Sequence, residues 1–329
     1  MTDYEGPKYK GRNWYQSVSG LQRYRRCGEL YRIRMQPNVR PEYQWAATVI
    51  GKAVHRAIAQ LHKNPSLDIP SLVEQIIGAE ESINDAAPVR WGDKQFSREG
   101  RTETAVRIVS GYWHHNSGLD VRKSESWFWF DIPVDGDEPI RMRGRFDQIV
   151  AVDGRLGIHE LKTSASAPNM IELQRNIQLA VEFYALKHGY IALDDDLPYV
   201  ASHHDNAHIH VWKETDEPGI YQCEFCSIKT QHINKYPDFI QYVDLNAYDP
   251  GKRNFAEGIL EPKRPQPPPM VVDESGVDKL LDIITHTALS IRESERTGVW
   301  SPAILSGFSS PCSDCPYNNH CEYIISKPI

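Results

Sequence analysis

Three ionisable side chains fall close together in the segment 144–163, GRFDQIVAVDGRLGIHELKT: Asp147, Glu160 and Lys162. Two β-rich runs flank Asp153-Gly154, and Asp-Gly between such runs is the strongest short signal for a hairpin turn. With those two residues as the central pair, Val152 faces Arg155, and counting back along both strands sets Asp147 opposite Glu160. Period-two alternation then puts Glu160 and Lys162 on one face. Two carboxylates on one patch of sheet could hold a hard divalent cation through oxygen, with the lysine beside the water that such a cation activates. The bland alternative is an exposed hairpin with a cross-strand charge cluster, a common surface feature.

Several elements must position that patch. Ser19-Gly-Leu-Gln22 has capping-box spacing, which predicts a helix from about Ser19 carrying Leu21, Tyr24 and Leu30 among Arg23, Arg25 and Arg26, with Cys27 in its middle. Residues 43–63 repeat Ile50, Val54, Ala57 and Leu61 at helical spacing, and His55 lies at the edge of that stripe. A histidine so placed is ordinarily a flank residue. Pro65 and Pro70 break the chain before helices over 72–83 and 98–114, and 125–134 reads as a strand leading into the hairpin. A helix over 170–188 follows, stopped by Gly189. Its apolar side is Ile177, Val181 and Tyr184, and Gln174, Gln178 and Glu182 form a polar stripe that would lie over the carboxylates. Residues 207–213 and 219–228 read as strands, which places Cys223 and Cys226 on opposite faces, poor for joint ligation. The group His203, His204, Asp205, His208 and His210 reads as a polar loop running into a strand. EPKRPQPPPM (261–270) is an extended connector before a last helix near 277–297.

The tail carries Cys312-x-x-Cys315-Pro-x-x-x-x-Cys321. Three closely spaced cysteines in a reducing compartment point to metal or cluster ligation more than to disulfides. A four-thiolate site needs one more, and Cys27 is the natural candidate, because Cys223 and Cys226 read as strand residues. That arrangement would clasp the first helix to the last segment. Cysteine count does not separate zinc from [4Fe–4S].

The chain has 329 residues, 40% hydrophobic and 25% charged, room for two domain-sized units or one domain with insertions. No apolar run is long enough to span a membrane, and the first residues lack the apolar core of a signal peptide. The expectation is an intracellular, cytoplasmic protein with reduced thiols, with a phage origin left open. Net charge is −7, which excludes a globally basic nucleic-acid binder, yet residues 1–40 hold nine Lys/Arg against three Asp/Glu. Such a local basic surface can hold a phosphate backbone or be merely a solvated helix face. No Walker motif is present, because Gly51-Lys52-Ala53 lacks both the upstream glycine and the Ser/Thr, and an intrinsic ATP-driven motor is not expected.

Taken in order, the motifs are S-x-S-G-L with Cys27, G-K-A-V-H with His55, G-R-F-D with Asp147, E-L-K-T with Glu160 and Lys162, Gln178 on the next helix, and the C-x2-C-x5-C tail. Together they resemble the PD-(D/E)XK nuclease superfamily and, more narrowly, its RecB-like iron–sulfur branch, which includes AddB-type nuclease domains and CRISPR-associated exonucleases. The resemblance spans nearly the whole chain. It implies an α/β, restriction-endonuclease-like core with a mixed central sheet flanked by helices, plus an iron–sulfur cap formed by both chain ends. The expected division is a basic helical segment at 1–42 contributing one cluster cysteine, a nuclease core at 43–260, and a connector, helix and cysteine-rich segment at 261–329.

By the same resemblance His55, Asp147 and Glu160, with the backbone carbonyl of Leu161, would ligate Mg²⁺ or Mn²⁺. Lys162 would orient or polarise the attacking water, and Gln178 would position substrate or Lys162. Cys27, Cys312, Cys315 and Cys321 would hold a structural [4Fe–4S] cluster, and Arg23, Arg25 and Arg26 would meet DNA. The implied activity is metal-dependent DNA exonuclease action on single-stranded ends in recombination, repair or DNA processing, with a helicase, recombinase or integrase as a separate partner. A non-catalytic DNA-binding or assembly component of such a complex is the rival reading, and a zinc-binding structural protein is a third. Two departures stand out. Many members carry Q-x-x-x-Y, but Glu182 stands four residues after Gln178, and Tyr184 points about 120° away on a helix. Residue 160 is Glu where many members have Asp, and either carboxylate can serve.

Overall fold

The computed structural model describes residues 15–36, 39–83, 87–163, 172–173, 176–193, 210–226, 228–302, 312, 315–317 and 320–321. Gln174, His203, His204, Asp205 and His208 lie outside them. The chain opens with α1 (Val18–Arg26) and α2 (Gly28–Met35), then β1 (Gln44–Trp45), α3 (Ala46–Lys63), α4 (Ile69–Ile83), β2 (Val89–Arg90) and α5 (Arg98–Asn116). Strands β3 (Asp120–Ile132), β4 (Ile140–Val152) and β5 (Arg155–Lys162) follow, then α6 (Ile177–His188) and β6 (Tyr190–Ala192). Next come β7 (Trp212–Glu214), β8 (Ile220–Cys223), β9 (Lys229–Gln231), β10 (Phe239–Asp244), the short α7 (Lys252–Ala256) and the long α8 (Glu274–Thr297).

Among the described residues eight strands form one mixed sheet, ordered β10-β5-β4-β3-β6-β9-β8-β7. β10 runs parallel to β5, and the other pairings are antiparallel. Helices lie on both sides. Val49, Ala53, Val54 and Ala57 of α3 share an apolar cluster with α4, α5, Leu161 and Val243. Ile149, Ile158 and Ile240 belong instead to the cluster built with α6 and α8, to which α1 and α2 add Leu21 and Tyr31. The sheet core is thus buried from both sides, as an α/β architecture requires.

The central hairpin forms as expected. Asp153 and Gly154 have φ of 50° and 74°, the two left-handed positions of a type I′ turn, and Val152 pairs with Arg155. The register continues to Gln148 opposite His159, one step short of Asp147 and Glu160. Gly144 is required by packing, since a Cβ there would sit 2.3 Å from the Phe128 ring.

Other elements differ from the expectation for local reasons. The first helix is capped by Ser17, whose Oγ accepts from the Gly20 amide at 3.2 Å, rather than starting at Ser19. Cys27 does not lie inside a helix. It has extended backbone, ends α1 and begins α2, with its sulfur accepting from the Leu30 amide at 3.3 Å. Pro70 does not break α4 but sits in its first turn, where its missing N–H costs nothing. The strand expected over 219–228 stops at Cys223, and Glu224, Phe225 and Cys226 bend away from it.

Candidate active site

The Asp-Gly turn fixes the hairpin register, and the register brings Asp147 of β4 beside Glu160 of β5. The Leu161 amide donates to Asp147 Oδ2 at 2.8 Å, which fixes that carboxylate at the strand junction. Helix α3 delivers His55, whose Nδ1 lies 3.2 Å from Asp147 Oδ1. Two residues past Glu160, Lys162 forms an ion pair with it. Helix α6 crosses above, and Gln178 Oε1 accepts from Lys162 Nζ at 3.1 Å. Gln178 Nε2 in turn donates to Glu182 Oε1 at 3.0 Å. The structure therefore brings His55, Asp147, Glu160, Lys162 and Gln178 into one site. The Leu161 carbonyl lies on the same strand, between Glu160 and Lys162.

Sequence reading missed Glu125. Its φ is 54°, unusual for a glutamate within a strand, and the β3–β4 register slips by one residue nearby, between Val121 and Lys123. The bulged, left-handed backbone re-aims the side chain, and Glu125 Oε1 comes 3.6 Å from His55 Nδ1. Arg145 Nη2 pairs with Glu125 Oε2 at 2.7 Å. One ligand atom from each of His55, Glu125 and Asp147 fits within 4.8 Å of the others. Regular alternation carries no signal for a local twist of this kind.

Glu182 is the second surprise. It stands where the expected aromatic would be, and it is fully buried against Glu160. Burial and the adjacent Glu160 raise its carboxyl well above the usual range. Glu160 itself is pushed up to about 7, by burial and then by the Asp147 charge. Burial alone would lift the Asp147 carboxyl, but the imidazole of His55 and the Lys162 ammonium hold it down at about 2. His55 shows the converse, since burial disfavours its charged form yet Asp147 and Glu125 carry it up to about 10. Lys162 is also pulled two ways, by burial against charge and by Glu160 and Asp147 for it, and the carboxylates win.

Four carboxylates, Glu125, Asp147, Glu160 and Glu182, thus surround Lys162 and Arg145. The donors are oxygens plus one imidazole nitrogen. That set fits a hard divalent cation. The other predicted residues lie elsewhere. Arg23, Arg25 and Arg26 occupy the last turn of α1, next to Cys27, and Arg25 and Arg26 are exposed. Cys27, Cys312, Cys315 and Cys321 are partly exposed, and burial raises the Cys315 thiol with smaller contributions from the other three, so the four lie within electrostatic reach. No described helix is long and apolar enough to cross a membrane.

A family model described as the PD-(D/E)XK nuclease superfamily matches residues 15–322. No curated protein matches the chain significantly. Among solved structures, the crystal structure of SSO0001 is similar at 11% identity over 92% of this chain and 94% of that one, with a TM-score of 0.31, too low to carry an argument.

Proposed function

The chain belongs to the PD-(D/E)XK nuclease superfamily, and from that premise we propose that it is a Mg²⁺- or Mn²⁺-dependent DNA exonuclease acting on single-stranded ends. Nucleases of this superfamily generally use divalent metals. The observation that carries the reading is the convergence of His55 from α3 with Asp147, Glu160 and Lys162 from the hairpin, His55 Nδ1 standing 3.2 Å from Asp147. A divalent cation held by His55, Asp147, Glu160, Glu125 and the Leu161 carbonyl would neutralise phosphate charge and make water a better nucleophile. The chain's own groups do the rest. Asp147 is oriented by the Leu161 amide. Lys162 stays an ammonium, so it donates to the charge developing on phosphoryl oxygen and does not act as a base. Gln178 holds the Lys162 ammonium at 3.1 Å and is a positioning residue. Glu182 buttresses Glu160 and Gln178 in place of an aromatic substrate contact.

Cys27, Cys312, Cys315 and Cys321 supply four thiolates, the ligand set of a [4Fe–4S] cluster. The neighbouring backbone favours such a clasp. The Gly28 and Glu29 amides donate to the Ser301 carbonyl at 2.8 and 3.3 Å, and the Glu42 amide to the Pro316 carbonyl at 2.8 Å. The cluster's role is structural support, with Arg25 and Arg26 beside it on the DNA path. In this reading residues 1–42 and 261–329 flank a core of 43–260.

The test is anaerobically purified protein with Mn²⁺ and single-stranded DNA labelled at the 5′ or 3′ end, alongside a circular single strand. Degradation of linear but not circular DNA, lost in Lys162→Ala and Asp147→Ala, is the expected result. Full activity in both variants overturns the site. A wild-type protein that binds DNA without cutting it supports the rival reading of an assembly component for a helicase, recombinase or integration complex.

A further inference from the structure

The C-x-x-C pair expected on opposite faces of a strand takes a different shape. Alternation holds only along a strand, and β8 ends at Cys223, so Cys226 turns back on a bend. The register pairs Cys223 with Trp212 of β7, and the Glu224 amide donates to the Val211 carbonyl at 3.0 Å, which extends the pairing one step. His210 lies two residues before Trp212, just outside β7, and its ring stacks on that of Trp212, the partner of Cys223. Cys226 Sγ stands 3.7 Å from His210 Nδ1. One ligand atom from each of His210, Cys223 and Cys226 fits within 4.8 Å of the other two.

We propose that His210, Cys223 and Cys226 bind a zinc ion that staples the outer hairpin of the sheet. A tetrahedral zinc with ordinary bonds to sulfur and imidazole nitrogen spaces those two atoms by about 3.6 Å, and the observed separation is 3.7 Å. A thiol–imidazole hydrogen bond would explain that distance alone, but not the rest of the arrangement. The Phe225 amide points at Cys223 Sγ at 3.4 Å, and the Ile228 amide bonds Cys226. The Cys223 amide closes the bend on the Ile228 carbonyl at 3.1 Å. A backbone donor is thus aimed at each sulfur, the kind of outer contact that orients a metal ligand. Two thiolates and an imidazole form a borderline-soft donor set that suits zinc and not Mg²⁺.

The imidazole is also held in place for this task. Its ring stacks on Trp212 at 4.7 Å and 16°, and meets Trp129 edge-on at 5.1 Å. Its backbone N–H donates to the Tyr15 hydroxyl at 3.0 Å. The location supplies a reason for a staple. β7 and β8 have three and four residues and end the sheet order, so few ladder hydrogen bonds hold them. A fourth tetrahedral position remains for water or another donor.

The test uses the full chain, purified anaerobically, with zinc and iron measured by elemental mass spectrometry. About one zinc per chain is expected, lost in Cys223→Ser/Cys226→Ser and kept in Cys312→Ser/Cys315→Ser. Cobalt(II) added to the zinc-stripped Cys312→Ser/Cys315→Ser chain should give tetrahedral d–d bands and a thiolate charge-transfer band. Should the double-serine variant fail to fold, the native protein decides by alkylation: Cys223 and Cys226 should resist the reagent until a chelator is added. Unchanged zinc in Cys223→Ser/Cys226→Ser, immediate alkylation of both thiols, or a Cys223–Cys226 disulfide in the anaerobic protein overturns the proposal. So does zinc that disappears with Cys312 and Cys315. The site shares no residue with the carboxylate cluster, so failure of the nuclease assay leaves this result standing.

Discussion

His55 and His210 are imidazoles in opposite surroundings. His55 stands among carboxylates at the centre of the sheet, where β4 and β5 pair over long strands and both apolar clusters close around them. His210 stands among sulfurs and aromatic rings at the outer edge, where strands of three and four residues pair briefly. In the first region long paired strands and two apolar clusters hold the fold, and the carboxylates and imidazole gathered there form a hard donor set. In the second the backbone lacks enough cross-strand bonding of its own, and soft donors gather where a staple is useful. On the two proposals, chemistry falls to the middle and scaffolding to the edge.

The largest expected effect separates these roles. Lys162→Ala and Asp147→Ala should each lower DNA hydrolysis by about 10³-fold, and each also costs stability because it leaves a buried partner charge uncompensated. Cys226→Ser should lower the melting temperature by about 4 °C or more and leave hydrolysis unchanged while the chain stays folded. End-label assays and thermal denaturation on the same preparations check both. A Cys226→Ser variant that stays folded yet loses hydrolysis would break the division.

Within the central region, Glu125→Gln should raise the Mn²⁺ concentration for half-maximal activity about 10–100-fold. Turnover at saturating Mn²⁺ should change little, as a metal titration of activity would show. Measured against Glu125→Ala, Glu125→Gly isolates the backbone contribution: glycine accepts a φ of 54° readily, and relieving that strain should return about 1 kcal/mol of stability, with metal affinity lowered in both. A gain is also expected from Glu182→Gln. An amide carries no charge to bury beside Glu160, so urea denaturation at pH 8 should show about 1–2 kcal/mol of stabilisation. A loss of stability there would mean that Glu182 serves as a charged group.

Much of the central region was legible because its determinants are local. Asp153-Gly154 fixes a turn, the turn fixes the register, and counting reaches Asp147 and Glu160. Helical spacing placed His55 on α3, and Gln178 and Glu182 on one stripe of α6. What escaped lies where periodicity breaks. Glu125 depends on a left-handed residue inside a strand. Cys226 depends on the strand ending three residues earlier. Cys27 interrupts a helical pattern by capping two helices with one residue. Each is a single backbone departure that propensity does not record, and each coincides with a candidate ligand.

The last prediction compares two histidines of the same helix. His55 is carried up to about 10 by its carboxylates, whereas burial pulls His62 down to about 4. His62 packs edge-on against Tyr112 and Trp113, with ring centroids at 6.2 and 5.1 Å and no carboxylate in the contact. The sign of its linkage follows. Above about pH 6.5, the ordinary histidine value, neither folded nor unfolded His62 binds a proton, and stability is independent of this group. As pH falls toward 4 the unfolded chain takes up a proton that the folded chain refuses, so stability declines through that window and levels below it. Because His62 is only partly buried, solvent screening trims the loss to about 1–2 kcal/mol. His62→Leu should flatten that part of the acid limb in urea denaturation between pH 7 and 4, and it should leave the limb above pH 7 unchanged. An identical pH profile in the variant would mean that the acid sensitivity resides with another buried imidazole, such as His159, which burial also pulls down to about 4.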